Sequence, residues 1–155
     1  MNTQKLTPQQ AFPKIKQFCA YQERCHSEVQ EKLYGYGLTG IEVGEIISRL
    51  IEENYLNEER YAIQFAGGKF RVKQWGRVKI KYELKQRNVS EYCIRKGLAS
   101  IDNEAYFTTL EKLKEQKLQT LRGERNVFIK KRKLQDYLLS KGFEGSVIRE
   151  SLDEI

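Results

Sequence analysis

The residues with the most chemistry in this 155-residue sequence are its bases, and the chemistry open to them is the binding of polyanions. Between Lys69 and Arg87 stand Lys69, Arg71, Lys73, Arg77, Lys79, Lys81, Lys85 and Arg87 against one acid, Glu83, a local excess of +7 in a chain whose net charge is +7. The remainder is neutral on balance, 20 bases against 20 acids. A second run, from Arg122 to Lys133, holds Arg122, Arg125, Lys130, Lys131, Arg132 and Lys133 with Glu124, whereas Glu42 to Glu59 is acidic except for Arg49. Charge segregated in this way makes a field that recruits polyanions or an oppositely charged protein surface. Phosphates would be held by charge, without reading of sequence. Phe70, Trp75 and Tyr82 interleave with the first run, and rings among bases can stack on unpaired nucleotides. Trp75, just before Gly76, reads better as a core anchor, and Tyr82 as an outward ring. For each charged run the plainer alternative is a solvated helix face.

Covalent chemistry has less support. The single histidine, His26, adjoins Cys25, but a cysteine–histidine dyad needs spatial opposition and an orienting group that adjacency on a helix does not supply. Cys19, Cys25 and Cys93 have neither paired zinc-ligand spacing nor the pattern of a disulfide framework, which fits a reducing compartment. No Gly-rich loop ends in Gly-Lys-Ser/Thr, and Glu52 and Glu53 point apart on a helix, away from any two-carboxylate geometry. No catalytic residue, cofactor or metal is therefore expected. Residues 1–16 contain no apolar signal core, and the apolar run Phe18 to Tyr21 is far short of the roughly 18 residues of a membrane span. The expectation is a cytoplasmic monomer.

The elements that must position these bases are helices. Both prolines, Pro8 and Pro13, precede Lys14, and apolar residues recur at three and four, as in Val43, Ile46, Ile47 and Leu50. Ser27-Glu28-Val29-Gln30 and Thr39-Gly40-Ile41-Glu42 have the spacing of helix starts, with Asn57, Ser90 and Asp102 as further caps. The spacing predicts helices over about 10–24, 27–35, 40–53, 57–73, 76–87, 90–100, 103–121, 125–140 and 144–153.

Those helices repeat. With Leu33, Leu84 and Leu138 in register, four residues earlier stand Val29, Ile80 and Leu134. Four residues later come Gly37, Asn88 and Gly142, the types that most readily close a helix in the left-handed conformation, followed by Leu38, Val89 and Phe143. Three further columns follow: Val43, Ile94 and Ile148; Ile47, Leu98 and Leu152; Leu50, Ile101 and Ile155. The reading is all-α, a tandem array of three three-helix repeats, elongated and curved, with repeats at 1–55, 56–101 and 102–155.

The stretch from Leu50 to Ala62, with Asn57-Glu58-Glu59-Arg60-Tyr61-Ala62 at its end, resembles the signature of the RecX family. Trp75-Gly76-Arg77-Val78-Lys79-Ile80, Glu83-Leu84 and Tyr137-Leu138-Leu139-Ser140-Lys141-Gly142-Phe143 extend the likeness over about residues 15–155. The family's acidic pair is commonly two aspartates, where this chain has Glu58 and Glu59. The resemblance implies a non-enzymatic, three-repeat helical regulator of the RecA recombinase. Such a protein lies in the groove of the RecA–single-stranded-DNA filament and restrains ATP hydrolysis, strand exchange and filament growth, in DNA repair, recombination and the SOS response. Its partners would be the RecA filament and single-stranded DNA, with duplex DNA a further candidate. The filament-binding residues would be Lys69, Arg71, Lys73, Arg77, Lys79, Lys81, Lys85, Arg125, Lys130 and Lys131. The competing reading is a free-standing helical protein that acts by coating DNA.

Overall fold

The computed structural model describes residues 5–155, and among them all regular structure is helical. In chain order the helices are α1 (Pro8–Tyr21), α2 (His26–Gly35), α3 (Gly40–Glu52), α4 (Glu58–Gly68), α5 (Arg77–Gln86), α6 (Glu91–Ala99), α7 (Asn103–Thr120), α8 (Val127–Ser140) and α9 (Gly145–Leu152). Between α4 and α5, Lys69–Lys73 winds as a π-helical turn. The periodicity predicts one helix over 57–73; the last five of those residues take the wider π winding, which ends at Gln74 in the left-handed region, φ 57°.

Caps explain most boundaries. Thr7 and Gln10 exchange side-chain and backbone hydrogen bonds at the start of α1, and Thr39 and Glu42 do the same at α3. Asn57, Ser90 and Asp102 accept from the N–H groups of Arg60, Cys93 and Ala105, as their residue types predict. At α2 the cap is Cys25, whose N–H donates to Glu28 Oε1 at 3.1 Å. Ser27 lies inside that helix, and its hydroxyl donates to the carbonyl of Arg87. The three helix-closing positions take the left-handed conformation that their residues favour: Gly37 (φ 87°), Asn88 (φ 59°) and Gly142 (φ 96°). Each is followed by a buried apolar residue, Leu38, Val89 or Phe143.

The chain divides into two compact units. The first comprises Met1–Gln64 and Leu84–Lys96, the second Phe65–Glu83 and Gly97–Ile155. In the first unit α1, α2 and α3 pack on one another around Ile15, Val29, Leu33, Val43 and Leu50. The segment that carries the family signature serves this architecture. Asn54 (φ 62°) turns the chain after α3, so that Tyr55 and Leu56 donate to the carbonyl of Leu50 and Leu56 is buried. The Arg60 guanidinium then ties α4 back to that turn, through the side chain and the carbonyl of Asn54, each at 3.1 Å, and pairs with Glu23. Tyr61 and Ala62 are buried behind it.

In the second unit α8 packs against both α7 and α9, with Leu110, Leu113, Leu134, Leu138 and Ile148 inside. Its aromatic centre is Tyr106, fully buried, with ring centroids of Phe143 and Phe70 at 5.1 and 5.8 Å. The Tyr106 hydroxyl donates to Glu144 and accepts from the N–H of Arg77. Burial, and then the hydrogen bond to Glu144, push its ionisation upward, so the phenol stays a donor. Lys114 is buried as well, paired with Glu111 at 2.7 Å and donating to the carbonyl of Ser151 at 3.1 Å.

Candidate polyanion-binding site

The site grows out of a close backbone contact in the second unit. The N–H of Gly76 donates to the carbonyl of Lys141 at 2.8 Å, and the N–H of Val78 to the carbonyl of Gly142 at 2.9 Å. Only glycine permits this approach: a Cβ on Gly76 would lie 2.4 Å from the backbone carbon and oxygen of Gly142, and one on Gly142 would lie 2.2 Å from Cβ of Lys79. The start of α5 is thereby seated on the loop that closes α8. That contact brings Lys79 and Lys141 together, and the π turn delivers Lys73.

Lys141 Nζ donates to the backbone carbonyl of Lys73 at 2.8 Å. Its proton is held less tightly than in an ordinary lysine, because burial disfavours the charge and the ammonium groups of Lys79 and Lys73 repel it. Lys79 Nζ and Lys69 Nζ lie 4.7 and 5.2 Å from the ring of Trp75, which meets Phe65 edge-on. Among the described residues no carboxylate pairs with Lys69, Lys73, Lys79 or Lys141. The ammonium groups of Lys73, Lys79 and Lys141 are thereby gathered on one patch of the second unit, a candidate site for an anion. The second unit as a whole holds 17 Lys plus Arg against 11 Asp plus Glu, +6 of the chain's +7.

Of the ten residues named from the sequence, the structure gathers Lys69, Lys73 and Lys79. It adds Lys141, which sequence reasoning missed: the residue lies outside both basic runs, and its signal was its place beside Gly142 in a repeat of the α5 pattern. Arg77 is committed to packing, with its guanidinium 3.8 Å above the Tyr106 ring, 3.1 Å from Glu144 and 2.6 Å from Asn103 Oδ1. Arg71 and Lys81 are exposed, and Lys85, in the first unit, stands 3.5 Å from Glu91. Arg125, Lys130 and Lys131 lie at the N-terminal end of α8; at 1.5 Å per residue, Lys130 is about 17 Å along the helix from Lys141. Trp75 is half-buried, Phe70 buried and Tyr82 exposed. The acidic stretch is partly used up locally, Glu42 in a cap and Glu53 beside Lys16 and Arg49.

The residues adjacent to the lone histidine offer no nucleophile. The Cys25 thiol is buried and hydrogen-bonded to Glu28 and Ser27, and burial pushes its ionisation up. Cys19 is pushed up to about 11, chiefly by burial. Among the described residues no group of three or more His, Cys, Asp and Glu side chains is placed to hold a metal ion, and no helix is long and apolar enough to cross a membrane.

Comparison with known proteins decides the family. The profile described as RecX, second three-helix domain, matches residues 57–98, and that of RecX, third three-helix domain, matches residues 104–152. The chain is 30% identical over 135 residues to regulatory protein RecX of Chlorobium phaeobacteroides, with 86% of each covered. It belongs to the RecX family. Regulatory protein RecX of Prosthecochloris aestuarii is 28% identical, with 89% of this chain and 88% of that protein covered. Its counterpart in Bacillus cytotoxicus is 30% identical over 95% of this chain, which spans 54% of that longer protein. The crystal structure of RecX from Lactobacillus salivarius superimposes with a TM-score of 0.86 at 22% identity, covering 96% of this chain and 97% of that one. The RecX fold is thus present over nearly the whole chain, and Gly76 with Gly142 marks where its α5 start and α8 closing loop interlock.

The depressed proton affinity of Lys141 has a measurable consequence. A bound phosphate would favour the ammonium form, so binding should take up protons and affinity should fall as pH rises through the lowered Lys141 value. In the free protein the sign is opposite: the charged form opposes folding, and the opposition is relieved as pH rises through that same value. Titration of a phosphate-rich strand from neutral to alkaline pH should show the fall, and Lys141→Arg, which stays charged throughout, should flatten it. An identical pH profile in that variant would remove Lys141 from the site.

Proposed function

We propose that this RecX-family chain docks on the RecA–single-stranded-DNA filament, with Lys73, Lys79 and Lys141 seated on DNA phosphates, and so restrains RecA's ATP hydrolysis, strand exchange and filament growth. The observation that carries this reading is the cluster of mutually repelling lysines without acids, in a chain of this family. Single-stranded DNA within the filament is the main nucleic-acid partner. Residues 1–55, 56–101 and 102–155 act as three repeats, of which the second and third correspond to the matched three-helix domains. Contacts made by more than one repeat add through effective concentration, so few molecules slow many recombinase subunits.

The test is the RecA ATPase rate on single-stranded DNA as the protein is titrated in at physiological salt. Inhibition at far less than one molecule per RecA supports docking. An effect that begins only when the protein saturates the strand would favour the competing reading, a basic helical protein that coats DNA, which the +6 charge of the second unit also suits.

A further inference from the structure

We propose that the first turn of α8 is a second nucleic-acid contact, in which Phe128 stacks on an unpaired base while Arg125 and Lys130 hold the adjoining phosphates. Phe128 is 88% exposed, beside the half-exposed Val127 and Ile129. No ring or cation of the described residues packs on it.

The turn is held firmly. Asn126 Oδ1 accepts from the N–H groups of Phe128 and Ile129, at 3.0 and 3.3 Å, and the Asn126 N–H donates to Glu124. The capped turn fixes the backbone that carries the exposed ring, so only the ring's two side-chain torsions remain to be ordered on binding. Glu124, the single acid of this stretch, is turned back into the cap and toward Lys133 at 4.0 Å. Arg122, Arg125, Lys130, Lys131 and Arg132 consequently have no paired carboxylate among the described residues. The first turn of α8 has no acid of its own, so these cations face the positive end of the helix unrelieved. A polyanion relieves that arrangement. The combination selects the occupant: an apolar protein pocket would satisfy the ring and leave the cations unmet, whereas a single strand supplies a π-face and a phosphate in each nucleotide. Duplex DNA keeps its π-faces stacked, which makes the preference one for unpaired strands.

The inference shares with the docking reading only the presence of an unpaired strand, and it is tested without recombinase. Affinity of the full chain is measured by fluorescence anisotropy for a fluorescent oligo-dT and for an abasic strand of equal length, at one ionic strength. Wild type should prefer oligo-dT by about tenfold, the scale of one base–ring stack. Phe128→Ala should bind the abasic strand as wild type does and lose the preference, while Phe128→Trp keeps it. A preference unchanged in Phe128→Ala, or absent in wild type, overturns the proposal. Failure here leaves docking through Lys73, Lys79 and Lys141 standing; failure of filament docking leaves the dT-versus-abasic result standing.

Discussion

Replacing Lys73, Lys79 and Lys141 together with alanine should weaken binding to RecA-coated single-stranded DNA about a hundredfold at physiological salt. Each lysine removed from a phosphate is worth on the order of 1 kcal/mol at a partly exposed site, so three give about 3 kcal/mol, a little over two decades. The salt dependence carries the same information independently: losing three phosphate contacts on a single strand should reduce the slope of log K against log salt by about 2. The fold should not suffer. Lys141 is a cation that burial and its two neighbours push toward neutrality, so truncation removes repulsion along with one hydrogen bond to Lys73. Unchanged or slightly raised thermal stability, with binding lost, is the expected pair of results. Lys81→Ala is the comparison, since Lys81 is exposed and outside the cluster. If it weakens binding as much as the triple change, the contact is diffuse charge and not a site.

Gly76→Ala should destabilise the protein by about 3 kcal/mol, near the upper end for forcing extra volume into a packed contact. The atoms a methyl group would meet are backbone, 2.4 Å away at Gly142 and 2.5 Å away at the Phe143 nitrogen, and backbone cannot swing aside as a side-chain tip can. Relief would require breaking the hydrogen bonds from Gly76 and Val78 to the loop after α8. For a chain of this length that corresponds to a fall in Tm of roughly 10 °C. Binding should fail too, because the same contact brings Lys79 to Lys141. Gly44→Ala, in α3 with open space around the new methyl, should instead stabilise the protein by about 0.5 kcal/mol. A Gly76→Ala variant that melts with wild type would mean that α5 does not rest on that loop.

Much of this was legible in the sequence because it depends on local rules. Helix periodicity, the caps at Thr39, Asn57, Ser90 and Asp102, and the left-handed closures at Gly37, Asn88 and Gly142 follow from residue type and near neighbours. What depends on contacts distant in sequence was not legible. Ser27 looks like a cap from its own surroundings, yet it serves the carbonyl of Arg87, sixty residues on. Arg77 counts as one of eight bases in a run until Tyr106, Glu144 and Asn103 enclose it. Lys141 is an isolated base until the interlock at Gly76 and Gly142 sets it between Lys73 and Lys79. The π turn that places Lys73 has no signature in apolar spacing, since its winding differs from that of an α-helix by a single residue in the hydrogen-bond register.

The central claim is that the lysine cluster serves a filament and not a bare strand. It is tested most directly by comparing the affinity of the wild-type chain for RecA-coated and for bare single-stranded DNA of the same length at physiological salt, alongside the Lys73, Lys79 and Lys141 triple variant. Tighter binding to the coated strand, with that advantage lost in the triple variant, is the expected result. Equal or tighter binding to the bare strand, with the triple variant unaffected on the coated one, would contradict it.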